Sequence, residues 1–464
     1  MTDLSSLTAT ELAPLLESKQ LSPVEITQSI IERINTIDPS VNAYITTLHE
    51  LALLQAQHAE TEIMNGLYKG PLHGIPIGIK DNYYTKGIRT TVGSKILADF
   101  IPDETATAVE KLLAAGGIML GKLNMHEFGG GLTNTNPVYG NSRNPWDTNY
   151  SPGGSSGGSG AALAAGLATL ATGTDTFGSI RVPASMCGVY GLKPTYGLVS
   201  TKGVAPLAWS LDHAGPMARS VSDIAIMLNT MAGYDPKDPG SIKAPIPNYT
   251  ENLHKGIKGL TIGIPTYYLE GLDPAVEALF KNAMKSFELL GAEIKQINIP
   301  ELTMSTFASY IITIGEASTY HYEWLQTVPD DYADDVRIFF NTGVITNTPQ
   351  YVRSQQVRRV LVEGLKKAFE DVDVIAGPTI PITTPAFKEN WVEQNLEITR
   401  RCMPFTSPPN LTGTPSLSVP IGRCSAGLPV GMQLIGQHFS EKQLLQVGSE
   451  WEKTNPLNTT LYSV

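Results

Sequence analysis

Apolar positions near the start of the chain recur at helical spacing. Ile26, Ile30, Ile31 and Ile34 fall on one face of a helix that Ser22 and Glu25 open as a capping box, with Pro23 at the first helical position. Thr8 and Glu11 open an earlier helix in the same way, and a third helical run covers about 50–64. The period then changes. Ile75-Pro-Ile-Gly-Ile79 is a short continuous apolar run, which predicts a buried strand that delivers Lys80, followed by Asp81 and Asn82, at its end. Helical and extended patterns alternate from there: a helix over 106–115, a Gly116-Gly117 stop and a strand over 118–120; a helix over 222–231; then a strand over 260–264, a helix over 275–290 and a strand over 293–297. Residues 301–366 read as mostly helical, and further strands fall at 372–376, 417–419 and 432–435.

This alternation predicts an α/β fold: a single large mixed β-sheet flanked by helices on both sides. One domain over residues 1–464 is expected, with the N-terminal helices of about 5–64 packed on it rather than set apart. Residues 233–250, rich in Pro, Asp and Lys, are the best linker candidate.

One stretch, residues 153–195, follows neither period. It opens Gly-Gly-Ser-Ser-Gly-Gly, a backbone bare enough to turn sharply and approach another group closely. An uncharged small-residue helix over 155–168 and a short buried strand over 169–172 should follow. Next comes a second bare loop, from Gly173 to Ser179, whose backbone N–H groups are free to point at a ligand.

Composition narrows the function classes. The net charge of −11, with no run of Lys or Arg, argues against a nucleic-acid partner. Cys187, Cys402 and Cys424 are too few for a disulfide framework and lack metal-ligand spacing, so they read as buried small hydrophobes. No His-Glu-x-x-His or paired-ligand pattern occurs, and neither metal nor cofactor is expected. The N-terminus shows no signal peptide and no membrane span, which implies a cytoplasmic protein with no membrane partner.

Two common readings of a Gly/Ser loop fail on context. Gly154 to Gly158 fits G-x-S-x-G with Ser156 as nucleophile, but the residues before it, Asn-Pro-Trp-Asp-Thr-Asn-Tyr-Ser-Pro, read as loop where an elbow needs a strand. The loop also lacks the Gly-Lys-Ser/Thr ending of a phosphate-binding loop. The histidines are scattered, and His213, the one near a motif-like loop, reads as a satisfied structural residue. Serine chemistry here needs another base. Lys80, at the end of a buried strand, is the candidate, because burial lowers a lysine's pKa toward neutrality.

Taken together, the Lys-Asp-Asn after the first strand, Gly-Gly-Ser-Ser-Gly-Gly-Ser, Gly-Thr-Asp-Thr-Phe-Gly-Ser-Ile-Arg-Val-Pro-Ala and Gly-Val-Tyr-Gly-Leu-Lys-Pro-Thr resemble the amidase signature family. Leu-Asp-His-Ala-Gly-Pro-Met-Ala-Arg-Ser and Gly-Leu-Pro-Val-Gly-Met-Gln-Leu-Ile-Gly extend the resemblance over about 5–453. It implies that Ser179 is the nucleophile, that Ser155, on a cis peptide after Gly154, is the bridging serine, and that Lys80 is the base. It also implies an oxyanion hole built from the N–H groups of Thr176, Phe177, Gly178 and Ser179, aided by any short helix that begins at Ser179. Asp175 and Arg181 are expected to brace this loop. Phe177 stands where the commonest pattern has glycine, so either its φ is negative or the loop is strained. Its ring either shapes the acyl pocket or packs as core.

The function so implied is an amidohydrolase that cleaves a carboxamide, aryl amide or related ester through an acyl-serine, acting on a small-molecule amide without nucleic acid. A homodimer is left open. The alternative is the glutaminase subunit of a tRNA-dependent amidotransferase. That subunit usually carries an acid shortly before the late Phe-Thr, and Arg400-Arg-Cys-Met-Pro-Phe-Thr406 has none, which counts against the alternative. A scaffold without activity is argued against by the intact Lys80, Ser155 and Ser179.

Overall fold

The computed structural model describes residues 3–456. Its strands, in chain order, are β1 (Tyr44–Thr47), β2 (Pro76–Lys80), β3 (Ile118–Leu123), β4 (Leu170–Asp175), β5 (Tyr190–Lys193), β6 (His213–Ala218), β7 (Thr261–Pro265), β8 (Glu293–Ile297), β9 (Val374–Pro378), β10 (Ser416–Arg423) and β11 (Pro429–Ile435). All of them join one sheet in the order β1-β3-β2-β4-β6-β5-β10-β11-β9-β7-β8. β2 is parallel to β3 and β4, and β7 is parallel to β8 and β9; the other pairs are antiparallel. The sheet runs unbroken across the 233–250 segment, because β5 pairs directly with β10 from the C-terminal part of the chain.

Helices cover both faces, and β2, β3, β4, β5, β6, β9 and β11 are buried at every position. That is why the strands read as apolar runs with little alternation. The edge strand β8 is the most open of the remaining strands, with no buried position. It exposes Glu293 and Lys295, charges that discourage pairing with another chain.

Both N-terminal capping boxes form, at Thr8 with Glu11 and at Ser22 with Glu25. The helix Ala9–Glu17 is docked end-on, since the Asp223 carboxylate accepts from the N–H groups of Ala9 and Thr10 at 2.9 Å each. Arg219 donates to the carbonyls of Ser5 and Leu7 beside it.

Several elements differ from their sequence expectation. The small-residue helix is shorter, Gly157–Ala164, and the strand after it is longer, running through Asp175. β6, whose Gly215 and Pro216 read as loop, pairs with β4 over six positions. The helix Trp391–Thr412 contains Pro404, Pro408 and Pro409, residues that signal a break. It persists because its second half is buried among neighbours that satisfy its polar groups: Asn410 bonds Asp175 and Arg181, and Gln433 donates to the Phe405 carbonyl.

Candidate active site

β2, the third strand from one edge of the sheet, carries Lys80 at its end into the interior, where it is fully buried. The β2 backbone is held to β4 by the Lys80 N–H, which donates to Thr172 Oγ1 at 2.9 Å. Lys80 Nζ hydrogen-bonds Ser155 Oγ at 2.8 Å and Thr174 Oγ1 at 2.7 Å, and Asn82 Nδ2 donates to the same Thr174 oxygen. Burial strips water from the ammonium and lowers its pKa to about 7, against the attraction of Asp175 and Asp212. A fraction of neutral amine is therefore present at ordinary pH.

Ser155 lies in the loop before the Gly157–Ala164 helix, and the Gly154–Ser155 peptide is cis. Close approach dictates glycine in that helix: a Cβ at Gly158 would stand 2.3 Å from the Asn124 carbonyl oxygen. Ser179 lies in the loop after β4. The Ser156 N–H donates to the Ser179 carbonyl at 3.2 Å, tying the two serine loops together. Ser179 Oγ is buried and takes no hydrogen bond among the described residues. The chain thus joins Lys80 to Ser155 but leaves the Ser179 hydroxyl unpaired, so the second link of the expected relay is open in this structure. Ser156 is spent on structure, its Oγ bridging the Thr174 carbonyl and N–H at 3.3 Å each.

The expected oxyanion donors divide. The N–H groups of Thr176, Phe177 and Ser179 make no hydrogen bond among the described residues, so they are available to a ligand. Gly178 is a correction. Its N–H donates to Asp175 Oδ1 at 2.8 Å and is not free for an oxyanion. The glycine requirement also sits at this position, for Gly178 has φ +129° and a Cβ there would come within 2.9 Å of Thr406. Phe177 avoids a positive φ, so no strain arises from its side chain. Its ring is buried, 6.4 Å from that of Phe339 between centroids, as the core reading of Phe177 expects. The short helix after the loop is Arg181–Cys187, and the Val182 N–H donates to the Gly178 carbonyl at 2.7 Å, so its first turn opens at the loop that carries Ser179.

Asp175 and Arg181 brace the loop. Arg181 Nε donates to Asp175 Oδ2 at 3.0 Å, and its other nitrogens reach Asn410 Oδ1, Gln433 Oε1 and the Thr406 carbonyl. Burial alone would raise the Asp175 pKa, but Arg181 holds it well below the usual carboxylate range.

Residues without a sequence-assigned role complete the site. Thr174 anchors the lysine, and Asp212 takes a hydrogen bond from Thr176 Oγ1 while also accepting from the N–H groups of Leu207 and Ala208. Asp212 lies in the Leu-Asp-His motif, whose spacing alone gives no sign of these partners. His213 is only half satisfied, which corrects the expectation of a satisfied structural residue: its Nδ1 hydrogen-bonds the Leu211 carbonyl at 2.7 Å, but its Nε2 is buried without a partner among the described residues, and the residue lines the pocket that holds Ser155; burial holds its pKa well below the ordinary value. Among the described residues no cluster of His, Cys, Asp or Glu is arranged to hold a metal ion, and no helix is long and apolar enough to cross a membrane.

A strand-end lysine bonded to a serine, beside a second serine loop with free N–H groups, is the constellation that the motifs describe. The Amidase family model matches residues 25–445, and the chain belongs to the amidase family. It is 42% identical to a glutamyl-tRNA(Gln) amidotransferase subunit from Geobacter sp. (strain M21), over 97% of this chain and 98% of that one. Among solved structures, it superposes with TM-score 0.92 and 34% identity on a protein from a vestigial complex that reveals the evolutionary origins of an s-triazine catabolic enzyme, covering 97% of this chain and 99% of that one. The corresponding glutamyl-tRNA(Gln) amidotransferase subunit from Thermotoga maritima matches with TM-score 0.84 and 33% identity, covering 98% and 96%.

These relatives correct the partner expectation. A small-molecule amide with no nucleic acid is not the partner set that they point to, since the Geobacter and Thermotoga proteins are named as subunits of an assembly that acts on a tRNA. Net charge misled because it describes this chain's own surface and carries no information about a partner protein that could bind the phosphates.

Proposed function

We propose that the chain cleaves an amide C–N bond through an acyl-Ser179 intermediate, with Ser155 and Lys80 as the proton relay. The observation that carries this reading is the 2.8 Å hydrogen bond between Lys80 Nζ and Ser155 Oγ, made by a lysine that burial brings close to neutrality. Neutral Lys80 takes the Ser155 proton, Ser155 takes the Ser179 proton, and Ser179 Oγ bonds to the carbonyl carbon. The carbonyl oxygen becomes negative facing the N–H groups of Thr176, Phe177 and Ser179. A donor of this kind is worth about 3 kcal/mol. On collapse the C–N bond breaks, Ser155 returns a proton to the leaving nitrogen, and Lys80 reprotonates Ser155. Water then attacks the acyl-serine through the same relay and releases the carboxylate.

The relatives' names support one setting for this chemistry, release of ammonia from glutamine inside a tRNA-dependent amidotransferase. A second, hydrolysis of an amide with an uncharged acyl group, is favoured by Met403. This buried residue precedes Pro404, Phe405 and Thr406, where the resemblance calls for an acid, and it shares an apolar cluster with Phe177 and Phe339. Ammonia release from L-glutamine and from hexanamide by the purified chain separates the two. A preference for glutamine supports the first setting and a preference for hexanamide the second. No cleavage of any amide, together with an unreactive Ser179, would overturn the acyl-serine reading itself.

A further inference from the structure

A small pocket of about 10 Å³ has Ser155 in its wall, together with Asn82, Thr174, Thr176, Ala205 and Asp212. One water molecule needs about 10–15 Å³ of such space. The pocket is therefore the size of a single water, set against the middle member of the relay.

Its polar walls are nearly all committed. Asp212 accepts from Thr176 Oγ1 and from the Leu207 and Ala208 N–H groups. Thr174 Oγ1 accepts from Lys80 Nζ at 2.7 Å and from Asn82 Nδ2 at 3.0 Å. The other end of the Asn82 amide is free: its Oδ1 is buried and takes no hydrogen bond among the described residues. A buried amide oxygen without a donor is costly, and a ligand that supplies the donor removes the cost. Asn82 is also held rigidly, since its backbone carbonyl accepts from the Ala205 N–H at 2.8 Å while its side chain is pinned to Thr174. His213 Nε2 is unpartnered too, but His213 stands opposite Asp175 in the register of β4 and β6. Its ring falls with Asn410 on the face of the sheet away from Thr174.

The Ser155 side of the site is used twice in the reaction. Ser155 gives a proton to the leaving nitrogen during acylation and takes one from water during deacylation, so nitrogen and water occupy the same position in turn. Water brings two O–H bonds to that position, and only one can face Ser155.

We propose that this pocket holds the hydrolytic water and that Asn82 is a catalytic residue, its Oδ1 accepting the water's second O–H. The water oxygen bonds to the acyl carbon while its first proton passes to Ser155 Oγ and the Ser155 proton to Lys80 Nζ. On collapse the bond from Ser179 Oγ to carbon breaks, Ser179 regains a proton from Ser155, and Lys80 returns one to Ser155. Asn82 neither gains nor loses a proton; it turns the water's lone pair toward the carbonyl carbon. The proposal rests on the acyl-Ser179 reading and applies to either of its settings.

Hydrolysis of p-nitrophenyl acetate separates the two half-reactions, because nitrophenolate leaves without needing a proton. Asn82→Ala should slow deacylation by about tenfold or more, with kcat and KM falling together at constant kcat/KM. A burst of nitrophenolate should precede the steady state, and acetyl-Ser179 should accumulate in mass spectrometry. Ala205→Val, which occupies the pocket and leaves Asn82 in place, should do the same. A loss of kcat/KM equal to the loss of kcat in the folded variants, or no change in either constant, would overturn the proposal. A crystal structure of the wild-type chain gives a readout without turnover: one ordered water within hydrogen-bond distance of both Asn82 Oδ1 and Ser155 Oγ is expected, and a dry pocket would overturn the assignment. If that water is present while no ester or amide is cleaved and Ser179 is unreactive, the water site stands and the acyl-serine reading fails.

Discussion

Arg181 and Asp175 form a fully buried ion pair, Nε to Oδ2 at 3.0 Å, directly under the loop that carries Ser179. The pair spans the loop from its first residue to the helix beyond it and links it to Asn410 and Gln433. A buried carboxylate left without its partner costs about 3–5 kcal/mol. Arg181→Met should lose stability on that scale in denaturant unfolding and should also abolish reactivity at Ser179. Wild-type stability with intact reactivity would mean that the pair does not hold the loop.

Lys80 sets the pH dependence. The relay needs the neutral amine, and with a pKa of about 7 the lysine is mostly protonated below that pH and mostly neutral above it. With an uncharged amide, kcat/KM should therefore rise as pH passes upward through about 7. Asp212 is one of two carboxylates whose attraction keeps that pKa from falling further. Asp212→Asn should move the rising limb to lower pH. A profile flat from pH 5.5 to 9 would remove Lys80 from the role of base.

Phe177 should act on stability first. Its ring is buried against Phe339, and truncating a buried Phe to Ala costs about 3–5 kcal/mol. The N–H survives the change, so the fraction of Phe177→Ala that folds should keep a reactive Ser179. An unchanged melting temperature coupled to a shift toward bulkier acyl groups would instead make the ring a wall of the acyl pocket.

Most of the sheet could be read from local pattern, whereas the roles of Ser155 and Ser179 came from the family resemblance alone. Ile75 to Lys80 announces a buried strand with a lysine at its end, and the two Gly/Ser loops mark where backbones must come close. What escaped the sequence depends on partners distant along the chain. β6 is a strand because β4 and β5 lie on either side of it, and the Pro-rich half of Trp391–Thr412 stays helical because Arg181 and Gln433 meet its polar groups. The same limit explains Gly178. Its N–H looks like an oxyanion donor until Asp175, three residues earlier, is seen to take it.

The roles of Ser179, Ser155 and Lys80 are not independent in this account. Combining Lys80→Ala with Ser179→Ala should therefore cost little more activity than Ser179→Ala alone. Additive losses would show that Lys80 works outside the relay.

Mass spectrometry of the peptides after reaction with a fluorophosphonate probe tests the central claim most directly. A single covalent adduct is expected on Ser179 in the wild-type chain, none in Ser179→Ala, and slower labelling in Lys80→Ala. An adduct on Ser155 or Ser156, or undiminished labelling of Ser179→Ala, would contradict it.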